Sequence, residues 1–292
     1  MIAARDLTRK LGGRWHGSYG MVCCPAHDDR TPSLKLCDGE SGLIVHCYAG
    51  CAWQDVKAKL RSDGVIEDGR RVVPFPRPAR ASTSTTRPPS GENGLIRAAL
   101  ALWKKAKPAA GTLAETYLHS RGITIELPPS IRYLAKSRHR FTDLLLPTLI
   151  AAVQDVDRRV TGVHRIFLAA DGTRKAGVIL PKMMLGRIAG GAVRLGPVAP
   201  KIAIAEGLET ALSIAQSVPG LSVWAALSTS GMTGIELPPE VREVILCCDG
   251  DIPGKRAGLT AAKRFIAEGR QARICAAPPG RDYNDVHMGP DR

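Results

Sequence analysis

Two groups of residues in this sequence have the types and spacing for metal chemistry. The first is acidic. Glu206 closes the apolar run "KIAIAE", and "VILCCDGD" ends another apolar run at Asp249 and Asp251. Residues two apart on an extended chain point to the same side, so Asp249 and Asp251 can reach a common ion. Hard cations such as Mg²⁺ prefer carboxylate oxygens and keep waters that a phosphate can displace. One ion can lower the pKa of an attacking hydroxyl while another neutralises a pyrophosphate leaving group. Further on, "PPGRDYNDV" places Asp282, and with it Asp285, where they can join the same rim. Local roles compete with these. Acids at helix starts satisfy the helix dipole, which applies to Glu209, one turn into its helix. A cap before "PGKRAG" would account for Asp251 by itself.

The second group is "CCPAHDDRTPSLKLCDGESGLIVHCYAGC", which supplies Cys24 and His27 as C-x2-H and Cys47 and Cys51 as C-x3-C. Two short-spaced pairs joined by a hairpin-sized insert can converge on one tetrahedral ion, and three thiolates with one imidazole suit zinc. Such a closed site is structural, stabilising a unit too small to fold well on its core alone. Cys23 and His46 adjoin proposed ligands and remain rivals. Cys37, Cys247, Cys248 and Cys275 read as small core residues.

The elements that must position these groups are legible in outline. From residue 198 to 292 strands and helices alternate: "KIAIAEG", "LSVWAAL", "EVILCCDG" and "ARICAAP" are strands, "LETALSIAQSV" and "GKRAGLTAAKRFIAEG" helices. Near-continuously apolar strands indicate a parallel sheet covered by helices on both faces. The carboxyl ends of such strands share one edge, where ligands bind, so Glu206 and the Asp-x-Asp pair can meet there. Residues 94–197 read as an α+β region. "GLIRAALALWKKA" and "TLAETYLHSRG" have helical spacing, the second ended by Gly122, and antiparallel hairpins follow in "TLIAAVQDVDRRVTGVHRIFLAADGTRKAGVIL". Residues 1–66 hold the cysteine-rich unit. Residues 67–93, rich in Pro, Ser, Thr and Arg, read as a flexible basic linker.

Composition bounds the partners. A formal charge of +14 favours a polyanion. The charged start "MIAARDLTRKLGG" lacks the apolar segment of a signal peptide, and no stretch reaches the roughly 18 apolar residues of a membrane span. The expectation is a cytoplasmic protein with no membrane partner, in which clustered cysteines bind metal rather than form disulfides. "GDIPGKRAG" does not have the spacing of a Walker A loop.

"EGLETA" followed by "DGDIPGKRAG" resembles the TOPRIM signature, and "CPAHDDRTPSL" with "HCYAGC" resembles the CHC2 zinc ribbon that precedes TOPRIM in bacterial, phage and plasmid DNA primases. "TYLHSRGI", "VHRIFLAADGTRKA" and "GGAVRLG" resemble the middle region of phage and mobile-element primases. The resemblance implies synthesis of short RNA primers on a single-stranded DNA template from ribonucleoside triphosphates, with Mg²⁺ or Mn²⁺. It makes Glu206, Asp249 and Asp251 the metal-binding carboxylates and Asp282 a weaker fourth. By similarity to the basic rim of primase cores, Lys182 and Arg187 would hold template or triphosphate. Arg165 and Lys175 are looser candidates, and Lys255 and Arg256 lie near the expected metals. A TOPRIM nuclease would use the same carboxylates, and a zinc-ribbon DNA-binding protein would need none. No recognisable helicase module follows Arg292, so coupling to a replicative helicase would need a separate protein. The second cysteine pair has three intervening residues where replicative primases usually have two. His164 reads as an ordinary strand histidine, and Trp15 and Tyr48 as scarce core rather than base-stacking surfaces.

Overall fold

The computed structural model describes residues 3–15, 19–29, 32–39, 42–47, 49–67, 69, 71–74, 92–178 and 180–289. Most of the expected linker, and Tyr48, lie outside the described residues. The chain divides into two compact units, Met1–Ser84 with Arg140–Asp143, and Thr85–His139 with Leu144–Arg292.

The first unit contains α1 (Ala4–Lys10), β1 (Arg14–Trp15), β2 (Gly20–Val22), β3 (Leu34–Gly39), β4 (Gly42–Cys47), α2 (Trp53–Ser62) and β5 (Val72–Pro74). Its sheet runs β1-β2-β3-β4-β5 and is antiparallel except for the β4–β5 pair. The last strand falls inside the expected linker. Val72 is buried there among Leu7, Leu36, Val45 and Leu60, so a short apolar "VV" sufficed to extend the sheet before the polar stretch begins. Trp15 packs against the same core, as read from the sequence.

The second unit opens with α3 (Glu92–Lys105), β6 (Lys107–Pro108), α4 (Leu113–Ser120), β7 (Ile131–Arg138), β8 (Leu145–Gln154), β9 (Val160–Phe167) and β10 (Lys182–Gly186). Strands β8 and β9 form an antiparallel hairpin as expected, and β10, β7 and β6 extend it to a five-stranded sheet in the order β10-β9-β8-β7-β6. Period-two alternation sends β8 residues Leu149, Ala151 and Val153 into one core and Ile150 into another, with Ala99 of α3. After these come β11 (Val193–Arg194), β12 (Lys201–Ala205), α5 (Leu208–Ser217), β13 (Ser222–Ala225), α6 (Thr229–Gly234), β14 (Glu243–Cys248), α7 (Ile252–Ala267), β15 (Gln271–Ala276) and α8 (Tyr283–Met288). Their sheet has the order β11-β13-β12-β14-β15, with β13, β12, β14 and β15 parallel and β11 antiparallel at the edge.

The parallel sheet is buried on both faces. Ala203, Ala205, Val223 and Ala225 face α5 and the residues from α4 and the antiparallel sheet, while Ile202, Ile204, Trp224 and Leu246 face α6 and α7. The regions read as separate, 94–197 and 198–292, thus share one hydrophobic core. Strand β15 departs from the expected burial. It is an edge strand, and Cys275, read as a core residue, is exposed and accepts a hydrogen bond from the Tyr283 hydroxyl at 2.9 Å.

The chain leaves β12 through α5 to β13 on one side, while β14 lies on the other side of β12. Glu206 and Asp249 therefore follow neighbouring strands at a topological switch point, where loops diverge and leave a crevice. The loop after β15 is laced onto the loop after β14. Ala277 N–H donates to Cys248 O at 2.9 Å, Gly250 N–H to Arg281 O at 2.8 Å, and Gly280 N–H to Gly250 O at 3.3 Å. A side chain at position 250 would overlap the carbonyl oxygen of Pro278, so only glycine allows the approach that brings Asp282 to this edge. Gly250→Ala is expected to destabilise the protein by roughly 1–3 kcal/mol, as overpacking does; a urea midpoint equal to wild type would contradict this close approach.

Candidate metal centres and acidic cavity

In the first unit the ligand atoms of Cys24, His27, Cys47 and Cys51 all lie within 4.8 Å of one another, which selects this set over exposed Cys23 and over His46. Register explains the convergence. Val22 pairs with Leu34, and Leu34 with Cys47, so β2 and β4 end together on either side of β3 and carry both pairs to one end of the sheet. Gly50, at φ 98°, turns the chain so that Cys51 comes back toward Cys47. His27 Nδ1 faces the thiols, 3.2 Å from Cys51 Sγ and 4.0 Å from Cys47 Sγ. Zinc–sulfur and zinc–nitrogen bonds of about 2.3 and 2.0 Å give tetrahedral edges of about 3.5–3.8 Å, so these spacings fit the ion.

Asp29 organises the surroundings. Its Oδ2 accepts from Cys24 N–H at 2.7 Å and the Ser33 hydroxyl at 2.5 Å, and lies 3.7 Å from His27 Nε2. A carboxylate behind the far ring nitrogen keeps Nδ1 turned toward the thiols, where an ion would sit. Burial pushes the Cys24 thiol up to about 12, whereas Cys47 is held below its ordinary value, against burial, by the Cys51 N–H and the Ser33 hydroxyl. A divalent ion would supply the positive charge that a cluster of thiolates needs.

In the second unit Glu206, Asp249 and Asp282 line one cavity of about 200 Å³ with Lys175, Lys182 and Arg121. Glu206 Oε2 and Asp249 Oδ1 are buried with no hydrogen-bond partner, the condition that a bound cation would relieve. The cavity that these carboxylates line has room for water or substrate oxygens on an ion such as Mg²⁺. Burial, then Asp249 and Asp251, pushes the Glu206 carboxyl up to about 7. Burial, then Asp282 and Asp251, pushes Asp249 up to about 6. Asp251 caps α7, accepting from Gly254 N–H at 2.8 Å through Oδ1 only. Asp282 caps α8 and forms a reciprocal capping box with Asp285. The cap foreseen for Asp251 is present, and Asp282, read as a rim carboxylate, caps a helix as well; one carboxylate oxygen can cap while the other stays open.

The cationic side of the cavity is built on Glu209. This residue is 5 % exposed and accepts from the Tyr117 hydroxyl at 2.8 Å, Lys175 at 3.0 Å and Lys182 at 3.2 Å. Burial alone would raise its pKa, but Lys182 and Lys175, with the Tyr117 hydroxyl, hold it well below the carboxylate range. Glu209 raises Lys182 against burial, while burial lowers Lys175 despite Glu209. Glu209 thus keeps its place in the first turn of α5, as the helix-start reading has it, and in addition anchors two lysines. His164 lies beneath this cluster on β9, buried and pushed down to about 4 by burial and then by Lys182, which keeps it neutral.

The other basic candidates lie elsewhere. Alternation along β9 turns Arg165 to the opposite face from His164, where it is 8 % exposed beside Phe167. Arg187 pairs with Glu92 and Asp155, each at 3.4 Å. Lys255 is exposed on the first turn of α7 and outside the cavity lining. Conversely, sequence reading missed Tyr117 and Arg121, although their i, i+4 spacing in "TYLHSRG" puts both on one side of α4. It also missed Asn284, fully buried, which donates to Arg121 O at 2.8 Å and Ser213 Oγ at 2.9 Å and so fixes the helix that Asp282 begins.

Residues 201–290 match the family described as Toprim domain, and residues 93–195 match a "Domain of unknown function (DUF7146)". No curated protein matches the chain. Among solved structures, the zinc-binding and RNA polymerase domains of Aquifex aeolicus primase are similar at 15 % identity and TM-score 0.44, over 97 % of this chain and 79 % of that one. A DNA primase domain from Pseudomonas aeruginosa is similar at 16 % identity and TM-score 0.43, over 65 % and 73 %. The primase fragment of the Bacteriophage T7 primase-helicase protein is similar at 14 % identity and TM-score 0.39, over 92 % and 95 %. Among the described residues no helix is long and apolar enough to cross a membrane.

Two outcomes test these centres. Purified protein is expected to carry about one zinc per chain, lost in Cys47→Ser; zinc near zero in the wild type, by elemental analysis, would refute the site. Without divalent cation at the acidic cavity, the raised values of Glu206 and Asp249 mean that the folded chain holds protons the unfolded chain has released. Stability therefore falls as pH rises from the ordinary carboxylate range to about 7. Magnesium-free, zinc-loaded protein should lose Tm between about pH 5 and about pH 8, less so as Glu206→Gln; parallel melting profiles would remove Glu206 as the source.

Proposed function

We propose that this chain is a DNA primase, a nucleotidyltransferase that makes short RNA primers on single-stranded DNA. The Toprim domain of residues 201–290 supports the catalytic half of this reading. The observation that carries it is the meeting of acids and bases in one cavity, whose lining holds Glu206, Asp249 and Asp282 together with Lys175, Lys182 and Arg121. Carboxylates alone would hold a cation, and cations alone an anion. Together they suit a triphosphate with its accompanying metal.

Glu206 and Asp249, with the free oxygen of Asp251, would hold Mg²⁺ or Mn²⁺, and Asp282 would contribute from the rim. When bound, such ions activate a hydroxyl and neutralise charge at the leaving pyrophosphate. The chain's own part is positioning and charge. Lys182 and Lys175 are fixed by Glu209, so their ammonium groups need no reorganisation to meet phosphate oxygens. Arg121 adds a guanidinium to the same wall. Neutral His164 and Tyr117 keep the floor under the lysines free of competing charge. In the first unit the Cys₃His centre would hold a zinc ribbon that engages single-stranded template, in keeping with the formal charge of +14. Ribonucleoside triphosphates would be the substrates, and a helicase would act as a separate partner.

Labelled ribonucleotides incubated with mixed single-stranded DNA templates and Mg²⁺ or Mn²⁺ are expected to appear in short products with wild type, and to fall by about 10²-fold or more in Asp249→Ala. Metal-dependent shortening of the template with no ribonucleotide incorporation would replace this reading by a Toprim nuclease.

A further inference from the structure

Strand β15 is the free edge of the parallel sheet, with β14 as its one strand neighbour among the described residues. Gln271 N–H donates to Arg242 O at 2.8 Å and Ala277 N–H to Cys248 O at 2.9 Å. The odd-numbered residues therefore face β14, and the N–H and C=O groups of Ala272, Ile274 and Ala276 turn outward. Exposed edges are ordinarily blunted by proline, lysine or an inward-pointing charge. β15 has no proline and no lysine, and its one charge, Arg273, is paired with Glu243 at 3.4 Å.

Helix α7 flanks that edge. A β-carbon at Gly258 would overlap Cys248 Sγ and lie 3.7 Å from Ile274 Cγ2, so the helix sits close on β14 and β15 there. Its inner face, with Ala257, Ala261, Ala262 and Phe265, is buried as an amphipathic helix requires. Its outer face is not polar throughout. Ile252, Leu259 and Ile266, spaced by two turns, are 69 %, 54 % and 59 % exposed, and Ile274 beside them is 40 % exposed. At about 100° per residue this stripe lies on the β15 side of the exposed face, with Lys255 between it and Gly258, and Lys263 and Arg256 beyond it. These three cations are exposed, and none makes a side-chain ion pair among the described residues. No acid lies between Ile252 and Ala267, and Glu268 just past the helix is taken by Arg264 and Arg270.

We propose that the groove between β15 and α7 docks an extended, acidic segment of a partner protein, added as a further strand at the β15 edge. Strand addition supplies the outward N–H and C=O groups with main-chain partners, and alternate side chains of the added strand face the neighbouring helix. On that side they meet Ile274, Leu259 and Ile266, with carboxylates reaching Lys255 and Lys263. Charge decides among the occupants. A second copy would set the same unpaired cations against each other, on a chain of formal charge +14. Residues 75–91 of this chain carry Arg77, Arg80 and Arg87, no acid, and prolines that cannot donate to a ladder. A nucleic acid would meet the cations but leave the apolar stripe and the strand edge unsatisfied. The proposal does not rest on the primase reading.

The test is fluorescence anisotropy of a labelled peptide of about eight residues, enough to span a strand, that alternates glutamate with valine, titrated with full-length, zinc-loaded protein. A second peptide has lysine in place of glutamate. The glutamate peptide is expected to bind saturably, and the lysine peptide about tenfold or more weakly. Leu259→Asp, at an exposed helix position, and Lys255→Glu should each weaken the glutamate peptide by about tenfold. Ile274→Pro removes an outward N–H without touching the ladder to β14, and should weaken it likewise. Absence of saturable binding in the wild type overturns the proposal. An acidic peptide held at other basic sites of the chain would bind Leu259→Asp and Ile274→Pro as it binds the wild type, and that result overturns it too. So does equal binding of the lysine peptide, or a dimer in solution that Leu259→Asp makes monomeric. A single-stranded oligonucleotide whose affinity falls in Leu259→Asp and Ile274→Pro, where the peptide's does not, would make this a nucleic-acid surface instead.

Discussion

The second unit depends on one buried carboxylate. Glu209 starts on α5 of the parallel sheet, and its two oxygens are bound by Tyr117 of α4, by Lys175 and by Lys182 of β10. It thereby fastens the Toprim sheet to the antiparallel sheet at the point where their shared apolar core meets the acidic cavity. Desolvating a carboxylate is expensive, and three donors offset that cost here only because both halves fold together. The same contacts fix the two ammonium groups that face Glu206 and Asp249. Structural and chemical roles fall on the same residues.

Around that anchor the molecule concentrates like charges on purpose. Glu206 and Asp249 follow adjacent central strands, half-buried, and neighbouring carboxylates raise the proton affinity of each, Asp249 and Asp251 for Glu206, Asp282 and Asp251 for Asp249. The parallel topology makes such crowding unavoidable, because neighbouring parallel strands deliver their carboxyl ends to one edge. The backbone lacing of Gly250 to Arg281 then adds Asp282. Opposed to this destabilising cluster, the unit has a core filled from α4, α5 and both sheets, so strain at the edge is carried by burial elsewhere.

The first unit is held differently. Its core includes Cys24 and Cys47 themselves, so the apolar interior runs straight into the Cys₃His cluster. A small sheet with two short helices has little area to bury, and thiolate–zinc bonds would make up the difference.

The sequence by itself determined the parts whose signal is local. The apolar runs ending at Glu206 and Asp249, the alternation from Thr148 to Phe167, and the C-x2-H and C-x3-C pairs each follow from period or spacing, and each forms the element expected of it. Cys23 against Cys24 and His46 against Cys47 could not be separated that way, because adjacent residues differ only in the direction that strand register imposes. Register also turned Arg165 away from the cavity and left Cys275 on an exposed edge. Val72–Pro74 became a strand because a neighbouring edge was free, which composition does not reveal. The partnership of Glu209 with Tyr117, 92 residues away, and with both lysines was decided only in three dimensions. A buried charge selects its partners from whatever the fold brings within reach, and that choice leaves no pattern in the linear chain.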